Sequence, residues 1–239
     1  MEATNIQYDF ERSLKRIDDI LNENDQSFEE KKVIPGRDEL TFTNGYYVNC
    51  TALFVDIIDS SSLPEKQNRP VLAKIYRSFI SEMVALMNGH ETCREVCING
   101  DCVWCVCNTP NKSDIDGVFE LAAKVCSLVD ILNYKLLKKD YQTYKVGVGI
   151  DYGRALMIKA GHSGSCINDV VWMGDVVNSA CHLCSDANGF GCKRIFLSNV
   201  IYTNLKDKYK KFCTKDGIRD IYQAEIYNTV MKKWLNNQE

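Results

Sequence analysis

Apolar residues recur along this chain at two spacings, and each spacing predicts a different kind of element. Phe10, Leu14, Ile17 and Leu21 follow one another at intervals of four, three and four residues. That interval places them on one side of a helix, so we predict an amphipathic helix over residues 8–24. Helical patterns also cover four later segments: 70–87, 114–138 (capped by Ser113), 174–186 and 198–205.

Runs of β-branched and aromatic residues predict the strands. Residues 46–57 form one such run, which indicates a strand in the core. Two shorter apolar runs, 93–98 and 102–107, flank the sequence Asn99-Gly100-Asp101. An Asn-Gly pair between two such runs favours a tight hairpin. The remaining predicted strands are 144–151 and 154–160, joined by a turn at Tyr152-Gly153, and then 193–197 and 220–227.

The order of these elements predicts an α+β fold. Strand, helix, hairpin, helix and strand in succession are typical of a ferredoxin-like core, an antiparallel-dominated sheet with helices on one face. Residues 25–37 are polar and end in Pro35-Gly36, which indicates a linker. We therefore predict an N-terminal helical arm and linker over 1–43, one catalytic-sized domain over 44–228, and a C-terminal tail over 229–239.

Composition excludes several classes of protein. The chain has 239 residues, 45% of them hydrophobic, which is enough for one substantial core. Its formal net charge is −3, so it has no basic excess with which to follow a nucleic-acid backbone. It contains neither an apolar run long enough to span a bilayer nor a secretory signal, and we expect a cytoplasmic protein without a membrane segment.

Twelve cysteines are the most unusual feature of the composition. Because no secretory signal is present, we interpret them as reduced thiols that serve as small apolar side chains. Cys181 and Cys184, on either side of His182, have a spacing found in zinc sites, but two further converging ligands are not evident. Cys102 and Cys105 would face opposite sides of a strand, so we do not predict zinc.

Two aspartates carry the chemical argument. Asp56 stands where an apolar strand ends, and Asp101 lies in the turn of the following hairpin. If that strand and hairpin are neighbours, both carboxylates project from the same edge of the sheet. Oxygen ligands of this kind bind Mg²⁺ together with substrate phosphates, and two metal ions can assist an in-line displacement at phosphorus. Taken singly, each aspartate is better explained as an ordinary turn or strand-end residue.

Four sequence motifs, two of which contain these aspartates, resemble the motifs of one enzyme family. FVDIIDSS (54–61) and INGDCVWCV (98–106) resemble the two metal motifs of the class III adenylate and guanylate cyclases. VGVGIDYGRA (146–155) resembles their glycine-containing strand, and WMGDVVNSACHL (172–183) resembles their segment Gly-x-x-Val-Asn-x-Ala-x-Arg. The motifs stand in the family's order. The resemblance is specific as a set, although each motif alone is weak.

The resemblance implies roles for individual residues. Asp56 and Asp101 would hold two Mg²⁺ or Mn²⁺ ions, with the Ile57 carbonyl as a further ligand. The backbone after Ile57 would contact the phosphates of a nucleoside triphosphate. Asn178 would orient the ribose from a second chain, because the family's sites lie between two subunits, and a homodimer is therefore implied.

Three positions depart from the adenylate and guanylate cyclases. Cys97 and Val171 stand where those enzymes read the purine, and neither makes the strong polar contacts that a purine edge needs. ATP and GTP are therefore poor candidates. His182 stands where the family has an arginine that stabilises the transition state. Candidates for a substitute positive charge are Lys159, Arg154, Lys193 and Arg194.

A closer resemblance covers the chain from about residue 8 onwards. The segments FERSLKRIDDILN (10–22), LTFTNGYYVNC (40–50), GIDYGRALMIKAG (149–161) and INDVVWMGDVVN (167–178) are similar to the pyrimidine cyclases of the bacterial anti-phage system Pycsar. That resemblance implies CTP or UTP as substrate, cyclic CMP or cyclic UMP as product, and a separate effector protein that the product activates. The base stays open, with Tyr46, Tyr47, Asn49 and Thr51 as candidate contacts.

Two other functions remain as alternatives. A catalytically inactive nucleotide-binding module is favoured by His182 in the arginine position, and opposed by retention of both aspartates. A palm-type enzyme of the diguanylate cyclase kind shares the metal chemistry and core topology, but its Gly-Gly-Asp/Glu-Glu-Phe signature is absent.

Overall fold

A mixed β-sheet organises the structure. The computed structural model describes residues 2–187, 189 and 191–238, apart from the side chain of Lys66. The strands are β1 (Phe28–Lys31), β2 (Gly45–Ile57), β3 (Cys93–Asn99), β4 (Cys102–Cys107), β5 (Val146–His162), β6 (Ile167–Met173), β7 (Ile195–Ser198), β8 (Cys213–Lys215) and β9 (Ile221–Ala224).

Eight α-helices accompany this sheet in the described part of the chain. They are α1 (Phe10–Leu21), α2 (Leu63–Lys66), α3 (Arg69–Asn88), α4 (Lys112–Leu137), α5 (Asp175–Asp186), α6 (Asn199–Asn204), α7 (Asp207–Lys210) and α8 (Thr229–Asn236). Within the described residues, no helix is long and apolar enough to cross a bilayer.

The strand order places the longest strands at the centre. The main path runs β3-β4-β2-β5-β7-β9-β8, with β1 beside β2 and β6 beside β5. β2 pairs antiparallel with both β4 and β5, whereas β5 and β7 run parallel, as do β1 and β2. The predicted α+β, ferredoxin-like core is confirmed, including the hairpin around Asn99-Gly100-Asp101.

The two faces of the sheet have separate cores. On one face Leu53 and Val55 join the larger core with α3 and α4, and on the other Ala52 and Phe54 join a smaller core with α5. Alternation along β2 assigns its even-numbered residues to the α5 face. Helices therefore lie on both faces, whereas the sequence predicted them on one.

Several predicted boundaries differ from the structure. β5 is one continuous strand through Tyr152 and Gly153, because Gly153 is paired with Cys50 of β2 and does not turn the chain. β6 was not predicted; it forms a hairpin with the second half of β5. α4 begins before Ser113, since Asn111 and Asp114 cap it, with the Asn111 N–H donating to Asp114 Oδ2 at 2.9 Å.

The two predicted flanking segments contain regular structure. The linker includes β1, which pairs with the start of β2, and the tail includes α8. Trp234 of α8 packs edge-on against Tyr134 of α4, with ring centroids 6.1 Å apart. The division into arm, domain and tail stays a prediction.

Candidate active site

Asp56 and Asp101 lie together at one edge of the sheet. Asp56 is the penultimate residue of β2 and shares the α5 face with Phe54. The β2–β4 register pairs Val55 with Val103, which brings the end of β2 beside the β3–β4 turn that carries Asp101. Gly100 allows that turn, because its φ of +66° is readily adopted by glycine.

The two carboxylates affect each other electrostatically. Burial raises the pKa of Asp56 to about 6, and the neighbouring charge of Asp101 adds to the rise, while the Ile57 backbone N–H opposes it. Oδ1 of Asp56 and Oδ2 of Asp101 are buried and accept no hydrogen bond from the residues that the structure describes. Buried polar atoms are nearly always satisfied, so these oxygens indicate a missing partner.

The donor set fits hard divalent cations. Two carboxylates at one sheet edge, each with an orphaned oxygen, match the ligands that Mg²⁺ and Mn²⁺ prefer. A cation between them would also offset the repulsion by Asp101, which adds to the effect of burial on the pKa of Asp56. After Ile57, Asp59 adopts a left-handed conformation (φ 53°) and begins a short 3-10 helix over Ser60–Ser62, so the chain turns sharply beside the carboxylates.

An apolar row crosses the sheet next to the carboxylates. Cys97, Trp104 and Phe54 are successive register partners on β3, β4 and β2. The rings of Phe54 and Trp104 are stacked, with centroids 4.8 Å apart and planes 5° from parallel. Burial raises the pKa of Cys97 to about 11, so its thiol is neutral at physiological pH. The predicted base-reading position is thus a neutral thiol at the end of an aromatic floor.

An arginine that the sequence analysis did not identify stands beside Cys97. Arg37 donates from Nε to both carboxylate oxygens of Glu95, at 2.8 and 2.9 Å, and from Nη2 to the same group. Its Nη1 donates to Asp169 at 3.2 Å. Glu95 is buried and precedes Cys97 by two residues on the same face of β3. Only the fold brings residue 37 to this position, because 58 residues separate it from Glu95.

Two glycines of β5 bring α5 against the sheet. A Cβ on Gly147 would lie 2.2 Å from the Cys184 carbonyl oxygen, and one on Gly149 would lie 2.0 Å from the Ala180 carbonyl oxygen. Both distances are far inside van der Waals contact, so only glycine permits this packing. The motif VGVGI therefore positions the helix that carries Asn178 and His182.

Asn178 and His182 are exposed on α5, one turn apart. In the part of the chain that the structure describes, neither side chain forms a hydrogen bond or ion pair, and nothing joins them to Asp56 or Asp101. Val171 is also exposed, on β6. Within one chain these three predicted site residues face solvent.

The other candidate cations already have partners. Arg154 pairs with Glu30, and its guanidinium lies 3.8 Å from the centre of the Tyr47 ring. Lys159 Nζ lies 5.0 Å from the centre of the Phe42 ring. Lys193 donates to the Thr214 hydroxyl at 2.7 Å. Arg194 pairs with the carboxylates of Asp130 and Glu225. Their catalytic role stays a prediction that the contacts within one chain do not favour.

The candidate base contacts on β2 fall on both faces of the sheet. Tyr47 and Asn49 have odd numbers in an unbroken strand, so they lie on the face opposite Asp56. Tyr46 shares the Asp56 face but is buried, and its hydroxyl donates to the Glu39 carbonyl at 3.1 Å. Thr51 is buried against Thr109, 2.7 Å away. Of the four, only Tyr46 therefore shares a face with Cys97 and Trp104, and its hydroxyl is already engaged.

Solved structures define the class of fold. An adenylyl cyclase of P. aeruginosa, CyaB, superposes with a TM-score of 0.64 at 18% identity, covering 78% of this chain and 98% of that one. A class III adenylyl cyclase-like ATP-binding protein from Pseudomonas aeruginosa superposes with a TM-score of 0.69 at 16% identity, covering 94% and 48%. The fold is that of a class III cyclase core.

Sequence comparison establishes the family. Residues 43–225 match the adenylate and guanylate cyclase catalytic domain, and the chain belongs to that family. It is 37% identical over 263 aligned positions to a uridylate cyclase of Gulbenkiania mobilis, with all of both chains covered. It is 34% identical over 235 positions to a uridylate cyclase of Treponema porcinum, covering 97% and 82%. The predicted nucleotide cyclase, of the pyrimidine subgroup, is confirmed.

Proposed function

We propose that this chain converts UTP to 3′,5′-cyclic UMP and pyrophosphate with two Mg²⁺ or Mn²⁺ ions at Asp56 and Asp101. The observation that carries the proposal is the pair of buried, unpartnered carboxylate oxygens at the edge of a cyclase sheet. Burying these oxygens without a partner costs desolvation free energy, and a fold with no catalytic use for them would have nothing to offset that cost. The Ile57 carbonyl is the further ligand that the family resemblance implies.

The reaction joins the ribose 3′ oxygen to the α-phosphorus and breaks the bond from that phosphorus to the pyrophosphate oxygen. Two divalent cations at this site would supply charge to the attacking and leaving oxygens. Asp56, at the end of β2, and Asp101, in the β3–β4 turn, would hold that charge in place. The turn from Ile57 to Asp59 presents backbone beside the phosphates, and the stacked Phe54 and Trp104 give the base an apolar floor.

Uracil fits the base position better than cytosine does. Arginine has five N–H donors, and Glu95 and Asp169 occupy three of those on Arg37, which leaves one on each terminal nitrogen. At ring position 4, uracil has a carbonyl that accepts, whereas cytosine has an amino group that donates. A fixed donor beside Cys97 therefore favours uracil, in agreement with the activity named for the two relatives.

A second copy of the chain completes the site in this proposal. The exposed Asn178 and His182 would reach the carboxylates of the partner subunit, where Asn178 orients the ribose and His182 occupies the arginine position. The related structures include a dimeric guanylyl cyclase domain. Support for the homodimer is that these polar side chains have no partner among the described residues of one chain.

We also propose a cytoplasmic role in anti-phage signalling, in which cyclic UMP activates a separate effector protein. Its support is the resemblance of residues 10–22, 40–50, 149–161 and 167–178 to the Pycsar cyclases. Cells that carry the chain should accumulate cyclic UMP after phage infection, and cells that carry Asp56→Ala should not. Equal cyclic UMP before and after infection would remove the signalling role and leave the enzyme.

The activity itself is tested with purified protein. ATP, GTP, CTP and UTP are incubated separately with Mn²⁺ or Mg²⁺, and mass spectrometry identifies cyclic product and pyrophosphate. We expect cyclic UMP, lost in Asp56→Ala and Asp101→Ala and retained in Asp207→Ala, whose carboxylate is fully exposed. Cyclic product from Asp101→Ala at the wild-type rate would refute the metal assignment, and cyclic CMP alone would refute the base.

An inactive nucleotide-binding module is the second candidate. Two observations favour it: His182 replaces the family arginine, and Arg154 and Arg194 are held by carboxylates elsewhere. One of the structural neighbours is described as a class III adenylyl cyclase-like ATP-binding protein. Saturable UTP binding by the homodimer, with neither pyrophosphate nor cyclic product released in Mn²⁺, would establish the module and exclude the enzyme.

A further inference from the structure

Three thiols converge on the face of the sheet opposite Asp56. The Sγ atoms of Cys93, Cys105 and Cys107 all lie within 4.8 Å of one another, and those of Cys105 and Cys107 are 3.8 Å apart. Cys105 and Cys107 are fully buried, whereas Cys93 is partly buried at the start of β3. Among the residues that the structure describes, no other group of three cysteine, histidine or carboxylate ligands converges in this way.

A β-bulge brings the third thiol into the group. Cys93 pairs with Cys107, but Glu95 pairs with Val106, so Arg94 is an extra residue in β3. In a regular strand Cys93 would share a face with Glu95, toward α5. The extra residue turns Cys93 to the other face, where Cys105 and Cys107 lie. Bulges commonly redirect a side chain in this manner, and here the result is a third ligand.

The sulfur spacing matches metal thiolates. A Zn–S bond of about 2.3 Å in a tetrahedron places two sulfurs roughly 3.8 Å apart. The Cys105–Cys107 separation of 3.8 Å already has this value, and the remaining pairs need to close by at most about an ångström. A disulfide, by contrast, requires two sulfurs at about 2.05 Å and has no use for the third.

We propose that Cys93, Cys105 and Cys107 form a binding site for a thiophilic d¹⁰ cation of the Zn²⁺ or Cu⁺ class. Soft thiolate ligands select such ions over the hard cations suited to Asp56 and Asp101. On binding Zn²⁺, each thiol still protonated releases its proton to solvent, and three S–metal bonds form with no change of oxidation state. A tetrahedral ion has one position left, which water can fill.

The site lies at the base of the hairpin that carries Asp101. β3 is at the end of the strand order and is held to the sheet only by β4 on that side. A cation bonded to Cys93 on β3 and to Cys105 and Cys107 on β4 would join the two strands of the hairpin. It would therefore fix the register on which the position of Asp101 depends.

The experiment uses the full-length reduced protein, freed of metal and kept without oxygen. Cd²⁺ is titrated as a probe, since its bonds to thiolates give an ultraviolet charge-transfer band that carboxylates do not produce. Zn²⁺ and Cu⁺ are then tested by displacement. We expect a band that saturates at one ion per chain, that is lost in Cys93→Ser and Cys107→Val, and that persists in Cys126→Val, a single thiol buried in the same core.

Further variants separate this site from the proposed active site. Cys102 lies close to Asp56, so the band should persist in Cys102→Ser and in Asp56→Asn if it belongs to the cluster. Cys93→Ser changes a partly buried residue, and circular dichroism with thermal melting establishes that its fold is intact. Three results would each overturn the proposal. They are a wild-type protein without the band, a folded Cys93→Ser protein that keeps it, and a Cys93–Cys107 disulfide in protein purified without reductant.

Discussion

Replacing Asp56 by asparagine should stabilise the metal-free protein. The pKa of Asp56 is raised to about 6 by burial and by Asp101, above the ordinary value of 3.8. A carboxyl whose pKa is higher in the folded state costs stability when it is ionised. That cost is complete above pH 6 and disappears as pH falls below about 4. Asparagine keeps the shape of the side chain and removes the charge.

The magnitude follows from the pKa difference. About two pKa units correspond to roughly 3 kcal/mol at 1.36 kcal/mol per unit. Asp56 is only half-buried, so solvent screening reduces this to about 1–2 kcal/mol. For a chain of this size, such a gain raises the melting temperature by about 3–6 °C. At pH 5 the gain should fall to about half, because the folded carboxyl is then mostly protonated.

Thermal denaturation in EDTA at pH 8 and pH 5, and again in saturating Mn²⁺, provides the assay. Bound metal stabilises a folded protein by about 2.7 kcal/mol at a hundred times its dissociation constant, and Asp56→Asn should lose most of that gain. The variant therefore melts above wild type in EDTA and below it in Mn²⁺. Asp207→Asn, with an exposed carboxylate, should match wild type in both. Asp56→Asn melting below wild type in EDTA at pH 8 would refute the argument.

Three further outcomes follow from the geometry. Gly149→Ala should lower the free energy of unfolding by about 1–3 kcal/mol, because the new Cβ would meet the Ala180 carbonyl oxygen. Denaturant titration measures this loss, and Gly217→Ala, where a Cβ meets only open space, should leave the free energy of unfolding unchanged. Arg37→Gln should lower the kcat/KM ratio of UTP to CTP by roughly ten-fold, measured with both nucleotides in one reaction; an unchanged ratio would remove Arg37 from base recognition. His182→Ala should reduce kcat by about 100-fold while His182→Arg retains product formation, and equal rates in all three proteins would exclude a role at the transition state.

The metal pair was accessible to sequence reasoning because its determinants are local. An Asn-Gly pair fixes the β3–β4 turn, and that turn fixes Asp101. Asp56 ends an apolar run whose alternation sets its face. Only the adjacency of the two elements had to be inferred, and an antiparallel sheet of this order makes them neighbours. The helices α3 and α4 were predicted for the same reason, since each has a helical stripe within its own sequence.

Contacts between distant segments could not be predicted in this way. Nothing near Arg37 in the sequence indicates Glu95 or Asp169, which the fold supplies from β3 and β6. Gly153 resembles a turn residue in isolation, but thirteen successive pairings with β2 keep β5 extended through it. Tertiary pairing therefore overrides the local preference of a single glycine.

The bulge at Arg94 shows why the cysteines were the hardest feature to interpret. If side chains alternated strictly along β3, Cys93 would lie on the α5 face, away from Cys105 and Cys107. The sequence alone therefore suggests three unrelated apolar side chains. One extra residue reverses the face of everything before it in β3. Because Cys97 follows the bulge and Cys93 precedes it, the same hairpin presents the Cys97 thiol to the base position and the Cys93 thiol to the opposite core. Deleting Arg94 would restore alternation, so it should abolish thiolate binding of Cd²⁺ while leaving Cys97 and Asp101 on their present face.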